Sequence, residues 1–362
     1  MDRTLLFVQV ALGALGVVGV AAGEPSAALE QASRVALALG LTVVVSRLSP
    51  RAVTRLSPYL FVGTLALLIA VLFVGASPDG SESRRWLIVA GFSLQPSEFM
   101  KIAVIAYLTA FFHNHLGDWQ IWRPMLVIGL AVAAIVAQPN LSTGLFVFVL
   151  AFAVMVMAGI STTRLVSISL AAALIGVLLG GSYLSQFSYM KDRLVGYADL
   201  WGPQELTQGE AYQASRAREA MARGGLTGIG PGRPVAVPEV ETDFVAVAIA
   251  QALGLLGVAA LVTLYLVLAA RGVAIARAVT GPPALLAAGA VAYVCGQAAV
   301  NLLVASGLFP VTGLPLPGVS YGFNSLLSVG VAFGFIHVAY RQAAAAATEA
   351  EAENALLVGA AR

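Results

Sequence analysis

Ten apolar stretches, at residues 5–23, 28–46, 59–77, 96–113, 124–139, 143–160, 163–185, 244–270, 282–306 and 320–340, run through the 362-residue chain from end to end. A helix of about twenty apolar residues crosses the hydrocarbon core of a bilayer. Charged residues make up only 10% of the chain and hydrophobic residues 59%, whereas an ordinary soluble domain carries roughly 25% charged residues to cover its surface. The turn-rich alternation of a membrane β-barrel is absent. The expected fold is therefore an all-α polytopic membrane protein of about ten transmembrane helices. It forms one membrane domain over residues 1–340, followed by a helical cytoplasmic tail over 341–362. The first stretch has no convincing small-residue cleavage site and reads as a span rather than a signal peptide. The single cysteine, Cys295, lies in an apolar run and reads as a small core residue.

Positive residues set the expected orientation. With the N-terminus inside, the inner segments hold Arg3, Arg47, Arg51, Arg55, Arg123, Arg164, Arg271, Arg277, Arg341 and Arg362. The short outer loops then hold only Arg34, Arg84, Arg85 and Lys101. Both termini are expected in the cytoplasm, and a long loop at about 186–243, between the seventh and eighth spans, is expected on the outer side. Within that loop "AYQASRAREAMARGG" reads as a short helix stopped by Gly224 and Gly225. Its arginines either face a phosphate or are simply solvated.

Four stretches could carry chemistry, and all four fall at outer ends of spans. In "PEVETDF" the acids Glu239, Glu241 and Asp243 stand at the mouth of the eighth span. Asp243 reads either as a helix cap or as a general base, its pKa raised by the neighbouring acids. In "RRWLIVAGFSLQPSEFMK" Pro96 and Ser97 suit a helix start, and Glu98 and Lys101 stand three apart on one face. They form either a functional pair or a snorkelling interfacial one. "AQPNLSTG" and "GLFPVTGLPLPGVSYGFNS" are irregular segments that either line a shared outward-facing pocket or are tight connections. "HNHLGDW", with His113, His115 and Asp118, lies on the inner side and is poor evidence for a metal, and His337 reads as a satisfied interior histidine. Phosphate-cradling glycine loops, zinc spacings and nucleophile elbows are not found.

Taken together and in order, "RRW…FSLQPSEFMK", "QPNLSTG", "RLVGYADLW", "YQASRAREAMARGGLTGIG", "VPEVETDF", "LGLLG" and "PVTGLPLPGVSYGFNS" resemble the SEDS family, the shape, elongation, division and sporulation proteins that include FtsW, RodA and SpoVE. The ordered set covers nearly the whole chain. "RLVGYADLW" followed by "AYQ" is closer to the FtsW pattern. The sequence departs from the family pattern at Glu241, where His is usual, and at Asn140, Gln251 and Phe323.

The resemblance implies a peptidoglycan glycosyltransferase that polymerises lipid II, the undecaprenyl-pyrophosphate-linked precursor, into β-1,4-linked glycan. It implies a place in the bacterial cytoplasmic membrane beside a class B penicillin-binding protein and other divisome or elongasome membrane proteins, with no nucleic-acid partner. Asp243 stands at the family's essential aspartate. Lys101, Glu98, Arg85, Arg193, Arg216, Arg218 and Ser320 are the expected substrate-binding residues. A divalent cation, Mg or Mn, could share the leaving-group charge, although no sequence pattern marks a metal site. The rival activity is a lipid II flippase without a bond-forming step.

Overall fold

The computed structural model describes residues 1–77, 84–89, 91–114, 121–179 and 209–360. Eleven helices occur among them. They are α1 (Arg3–Gly23), α2 (Ala28–Ser46), α3 (Pro50–Val74), α4 (Pro96–Asn114), α5 (Trp122–Val136), α6 (Leu141–Met157), α7 (Thr162–Leu179), α8 (Gly209–Gly224), α9 (Val245–Arg277), α10 (Pro282–Ala305) and α11 (Phe323–Ala360). Every one of the ten apolar stretches overlaps a helix, from α1 to α7 and from α9 to α11. The end of the seventh stretch and the first part of the expected outer loop lie outside the described residues.

Among the described residues six helical segments are long and apolar enough to cross a membrane by length and composition, against the ten expected: Arg3–Gly23, Pro25–Ser46, Pro50–Val74, Val245–Arg277, Pro282–Ala305 and Phe323–Ala352. Two more, α5 and α6, are apolar but have only 15 and 17 residues. In α4 the ionisable residues Glu98 and Lys101 interrupt an otherwise apolar helix. The protein is thus a multi-pass, helical membrane protein. Among the described residues the one departure from all-α architecture is an antiparallel hairpin of β1 (Leu87–Val89) and β2 (Phe92–Leu94), with Leu87 opposite Leu94. A backbone bridge from Trp86 to Ala76 ties this hairpin to the end of α3.

Local signals explain several helix starts. The Asp2 side chain accepts the Leu5 amide at 2.9 Å and caps α1. Ser49 caps α3 through the Ala52 amide, with Pro50 at the first helical position. Asp2 also binds Arg271 of α9 through Nε at 2.9 Å and Nη2 at 2.7 Å. Burial pushes the Asp2 carboxyl up, but the Arg271 guanidinium and the Leu5 amide outweigh it and hold the group below the usual carboxylate value. His337 is buried, accepting the Asp2 amide at Nδ1, while its Nε2 has no partner among the described residues. The expected satisfied histidine is therefore satisfied on one side only.

At the centre of the bundle α4 is buried nearly all round, from Pro96 to Ala110, and packs against α3, α6, α10 and α11. Its lack of a polar face is what a helix enclosed by others requires. α10 packs against α4, α6, α9 and α11. These two helices carry the buried polar groups that support the site.

The eighth span is not continuous. Gly254 breaks α9 with φ 68° and ψ −164°, a conformation open in practice only to glycine. The break costs α9 its helical bonds from Leu255 and Leu256 to residues 251 and 252. The segment after α8 replaces them. Leu255 and Leu256 donate to the carbonyls of Gly225 and Leu226 at 2.9 and 3.2 Å, while Ile229 and Gly230 donate to those of Gln251 and Ala252 at 3.0 and 3.1 Å. These four backbone groups are thus paired again, as membrane depth demands. Gly254 also permits close approach, since a Cβ there would stand 2.4 Å from the Gly228 nitrogen. Gly254→Ala is expected to cost at least about 1–3 kcal/mol from the backbone conformation alone, read as a lowered melting temperature in detergent. Gly63→Ala, where a Cβ meets nothing within 4 Å, should leave the melting temperature unchanged.

Candidate active site

The irregular segments singled out in the sequence converge on one polar cleft of about 230 Å³. Arg85 enters from beside the hairpin, Pro139 to Ser142 from the turn between α5 and α6, Gln213 from α8, Glu239 and Asp243 from the approach to α9, and Val311 to Gly313 from the segment after α10. The shared-pocket reading of "AQPNLSTG" and "GLFPVTG" therefore holds, and tight connection alone does not describe them. Pro139 and Glu239 are the two non-glycine residues with positive φ among the described residues, at 29° and 53°, and both line the cleft. Backbone strain gathers where a site over-determines its walls.

Asp243 is half-buried, and its backbone is fixed on two sides. Its amide donates to the Glu239 carbonyl at 3.1 Å, and its carbonyl accepts from Asn301 Nδ2 at 2.9 Å. One residue earlier the Thr242 carbonyl accepts from Ser320 Oγ at 2.5 Å. The N-cap of α9 is Phe244, and no side chain caps that helix, so Asp243 is not placed as the cap. Its Oδ2 faces Gly313, whose Cβ would stand 3.5 Å away and whose φ of 68° favours glycine.

Behind the cleft stands a buried polar chain. Lys101 has no exposed surface and Glu98 is 2% exposed. Lys101 Nζ donates to Glu98 Oε1 at 2.6 Å and to Gln297 Oε1 at 2.7 Å. The expected Glu98–Lys101 pair therefore forms, but deep in the protein and outside the cleft lining. The Lys101 ammonium also lies 5.3 Å from the Tyr293 ring centroid and 5.9 Å from that of Phe146, within cation–π range. Gln297 Nε2 passes the chain on to the Pro315 carbonyl at 2.7 Å. One helical turn later Asn301 Nδ2 binds the Leu314 carbonyl at 2.8 Å as well as Asp243. Two amides of α10, four residues apart, thus fix the segment behind Gly313 and the backbone of the acid. Sequence reading missed both. The available signal was two carboxamides at helical spacing inside an apolar run, where an unpaired polar group is costly.

An apolar groove of about 370 Å³ adjoins the cleft and shares Leu141, Ser142, Val311 and Thr312 with it. It runs between α6 and α10, past Leu145, Val149, Ala153, Ala292 and Val300. A polar head and an apolar chain of one molecule could therefore be held side by side.

The remaining expected site residues are placed elsewhere. Ser320 is 2% exposed and serves as a pin, accepting the Leu316 amide while donating to Thr242. Arg216 and Arg218 lie on α8, the helix expected over 211–225, but the residue of α8 that reaches the cleft is Gln213. Arg216 and Arg223 both bind Glu219. Arg223 first, then Arg216, hold the Glu219 carboxyl below its ordinary value. Arg193, like His115 and Asp118, lies outside the described residues. Among the described residues no group of three or more His, Cys, Asp or Glu is arranged to hold a metal ion. Glu239 and Asp243 are the carboxylates at the cleft.

A bundle of apolar helices with an acid-bearing cleft at one membrane edge, opening onto an apolar groove, defines a membrane protein that handles amphiphiles. Residues 5–344 match the family model described as "Cell cycle protein", that of FtsW, RodA and SpoVE, and the chain belongs to this family. It is 32% identical over 301 residues to the probable peptidoglycan glycosyltransferase FtsW of Caulobacter vibrioides, covering 81% of this chain and 74% of that protein. It is 31% identical over 350 residues to the peptidoglycan glycosyltransferase MrdB of Escherichia coli, covering 93% and 92%. Among solved structures, it superposes on one chain from a structure described as the structural coordination of polymerization and crosslinking by a peptidoglycan synthase complex, with a TM-score of 0.77, 28% identity and coverage of 94% of this chain and 98% of that one. It superposes on the rod shape determining protein RodA of Thermus thermophilus with a TM-score of 0.69 and 27% identity, covering 94% and 96%. FtsW-like and RodA-like relatives match comparably, so the lean towards FtsW is not sustained.

Proposed function

We propose that the protein is a peptidoglycan glycosyltransferase that polymerises lipid II, with Asp243 as general base. The observation that carries this reading is the junction of the acid-bearing cleft with the apolar groove. It suits a sugar diphosphate on a polyprenyl chain, with the sugar beside Asp243 and the chain between α6 and α10. Family membership and the glycosyltransferase names of the relatives support it.

In the reaction, the 4-hydroxyl of the terminal N-acetylglucosamine of one lipid II attacks the anomeric carbon of the donor. Asp243 accepts the hydroxyl proton as the new C–O bond forms. The bond from the anomeric carbon to the diphosphate breaks, and the polyprenyl diphosphate leaves with the electron pair. A single displacement turns the α-linked donor into a β-1,4 linkage, without a covalent sugar–enzyme intermediate. Arg85, at the cleft wall and donating to the Pro139 carbonyl at 2.5 Å, is the cation nearest the leaving group, since a guanidinium can bind phosphate in two-pronged fashion. Mg²⁺ or Mn²⁺ would be held by Glu239 together with the substrate phosphates, leaving Asp243 to act as base, because Mg²⁺ is commonly held by one or two carboxylates plus substrate phosphates, and it would neutralise diphosphate charge. Lys101 and Glu98 act at one remove, by fixing Gln297 and the segment it holds.

The topology that fits is ten crossings with both termini in the cytoplasm, the cleft outside and residues 186–243 over it, in the bacterial cytoplasmic membrane. The proposed partners are a class B penicillin-binding protein and other divisome or elongasome proteins, supported by the likeness to a synthase complex. Arg216 and Arg218 on α8, with Arg193, would guide the anionic headgroup. Arg216→Gln and Arg218→Gln should each raise the lipid II concentration at half-maximal rate by about two- to fivefold, as exposed charge contacts do. Each should also flatten its dependence on salt.

The groove supplies the decisive test. Val149→Trp, which fills it, should raise KM for lipid II by tenfold or more while kcat changes by less than twofold. A lipid II analogue with a short isoprenoid chain should be affected less. Equal sensitivity of both substrates would remove the groove from the site.

A further inference from the structure

A second cavity, of about 580 Å³, lies at the opposite end of the bundle, between the ends of α4, α6 and α9 and the start of α10. The stretch of α9 from Leu255 to Arg277 alone spans about 35 Å at 1.5 Å per residue, so this cavity stands at the other membrane edge from Asp243. Its volume is that of a small-molecule site. Its walls are apolar, with Phe112, Met157, Val273 and Leu285 among them. Two nitrogen-bearing side chains line it, His113 at the end of α4 and Arg277 at the end of α9, and no carboxylate does so among the described residues. Both are exposed, and neither makes an ion pair among the described residues. The start of α10 also lines the cavity. It has no side-chain cap, and Pro282 and Pro283 carry no amide hydrogen. The positive end of that helix dipole is therefore left without a side-chain acceptor, and with two prolines in its first turn it would act on an anion mainly through its field, with Arg277 as the hydrogen-bond donor.

We propose that this cavity binds an anionic glycerophospholipid of the surrounding membrane. The lipid phosphate sits at Arg277 and the start of α10, and an acyl chain lies along Phe112, Met157 and Val273. The charge of the rim selects the headgroup and the apolar walls select a lipid over a free anion. A protein ligand is the weaker fit, because the cavity is at a membrane edge and its interior offers almost no hydrogen-bonding groups. This site is independent of the reading given to the Asp243 cleft.

Native mass spectrometry of the purified full-length protein, titrated with phosphatidylglycerol or with phosphatidylcholine of the same chains, tests the proposal. One phosphatidylglycerol should be retained saturably, with about fivefold preference over phosphatidylcholine, the ratio that one basic residue near an anionic headgroup supplies. Arg277→Gln should bring the preference close to unity. Ala288→Trp, which fills the cavity, should lower retention of both lipids, and Ala284→Met serves the same purpose if the larger side chain prevents folding. Equal retention of both lipids by the unaltered protein, or an undiminished preference in Arg277→Gln, would overturn the proposal.

Discussion

Asp243→Asn is expected to lower the rate of glycan polymerisation by a factor of about 10²–10⁴, the contribution general-base catalysis commonly makes, and to leave the melting temperature within a degree of the parent. The amide keeps the size of the side chain. The isosteric change keeps the backbone contacts of residue 243, its carbonyl to Asn301 and its amide to Glu239, so the segment that carries it stays in place. A capping role predicts no loss of rate and no change in melting, because Asn and Asp cap helices about equally. Normal rates in Asp243→Asn would therefore remove the residue from the chemistry. Asn301→Leu offers a companion measurement. It strips hydrogen bonds from the Asp243 and Leu314 carbonyls and should lower kcat more than it raises KM, because the base loses its backbone anchor while Leu314 is only one of many residues lining the groove.

The second large effect belongs to Lys101. Lys101→Met leaves the Glu98 carboxylate buried without its cation, and breaking a buried ion pair in this way costs about 3–5 kcal/mol. The melting temperature should fall sharply. Removing both charges in Glu98→Gln/Lys101→Met should restore much of the loss, since no buried charge is then left alone. A lysine that touched the leaving diphosphate would behave differently, with a raised KM and little change in melting. The zero exposure of Lys101 and its bond to Gln297 favour the first pattern. If the single and double variants melt alike, the pair is not the support described here.

Much of this architecture is legible in the sequence because membrane helices declare themselves by hydropathy, and all ten apolar stretches overlap helices. The helix over 211–225 was legible too, its end fixed by Gly224 and Gly225. The break at Gly254 was not. A glycine in an apolar run is ordinary in membrane helices, and only the partner segment at 225–230, distant in sequence, shows that the helix opens there. The hairpin at 87–94 was hidden for another reason: two strands of three residues are too short to show a period of two. At the site, the position of Asp243 and the convergence of the Pro- and Gly-rich turns were readable. Lys101 and Ser320, expected among the substrate-binding residues, are buried in the structure, a placement the sequence does not show because polar residues near a span end read as interfacial. The sequence does not reveal that the start of α4 is buried, with Ser97, Glu98 and Lys101 at 2% exposure or less.

The most direct test of the account uses the purified protein in liposomes with fluorescent lipid II and no other synthase. The account predicts that the parent protein makes long glycan chains that a muramidase cleaves, that Asp243→Asn makes none, and that added penicillin-binding partner raises the yield of the parent only. Movement of lipid II between leaflets without polymer, in parent and Asp243→Asn alike, would contradict it and identify a transporter.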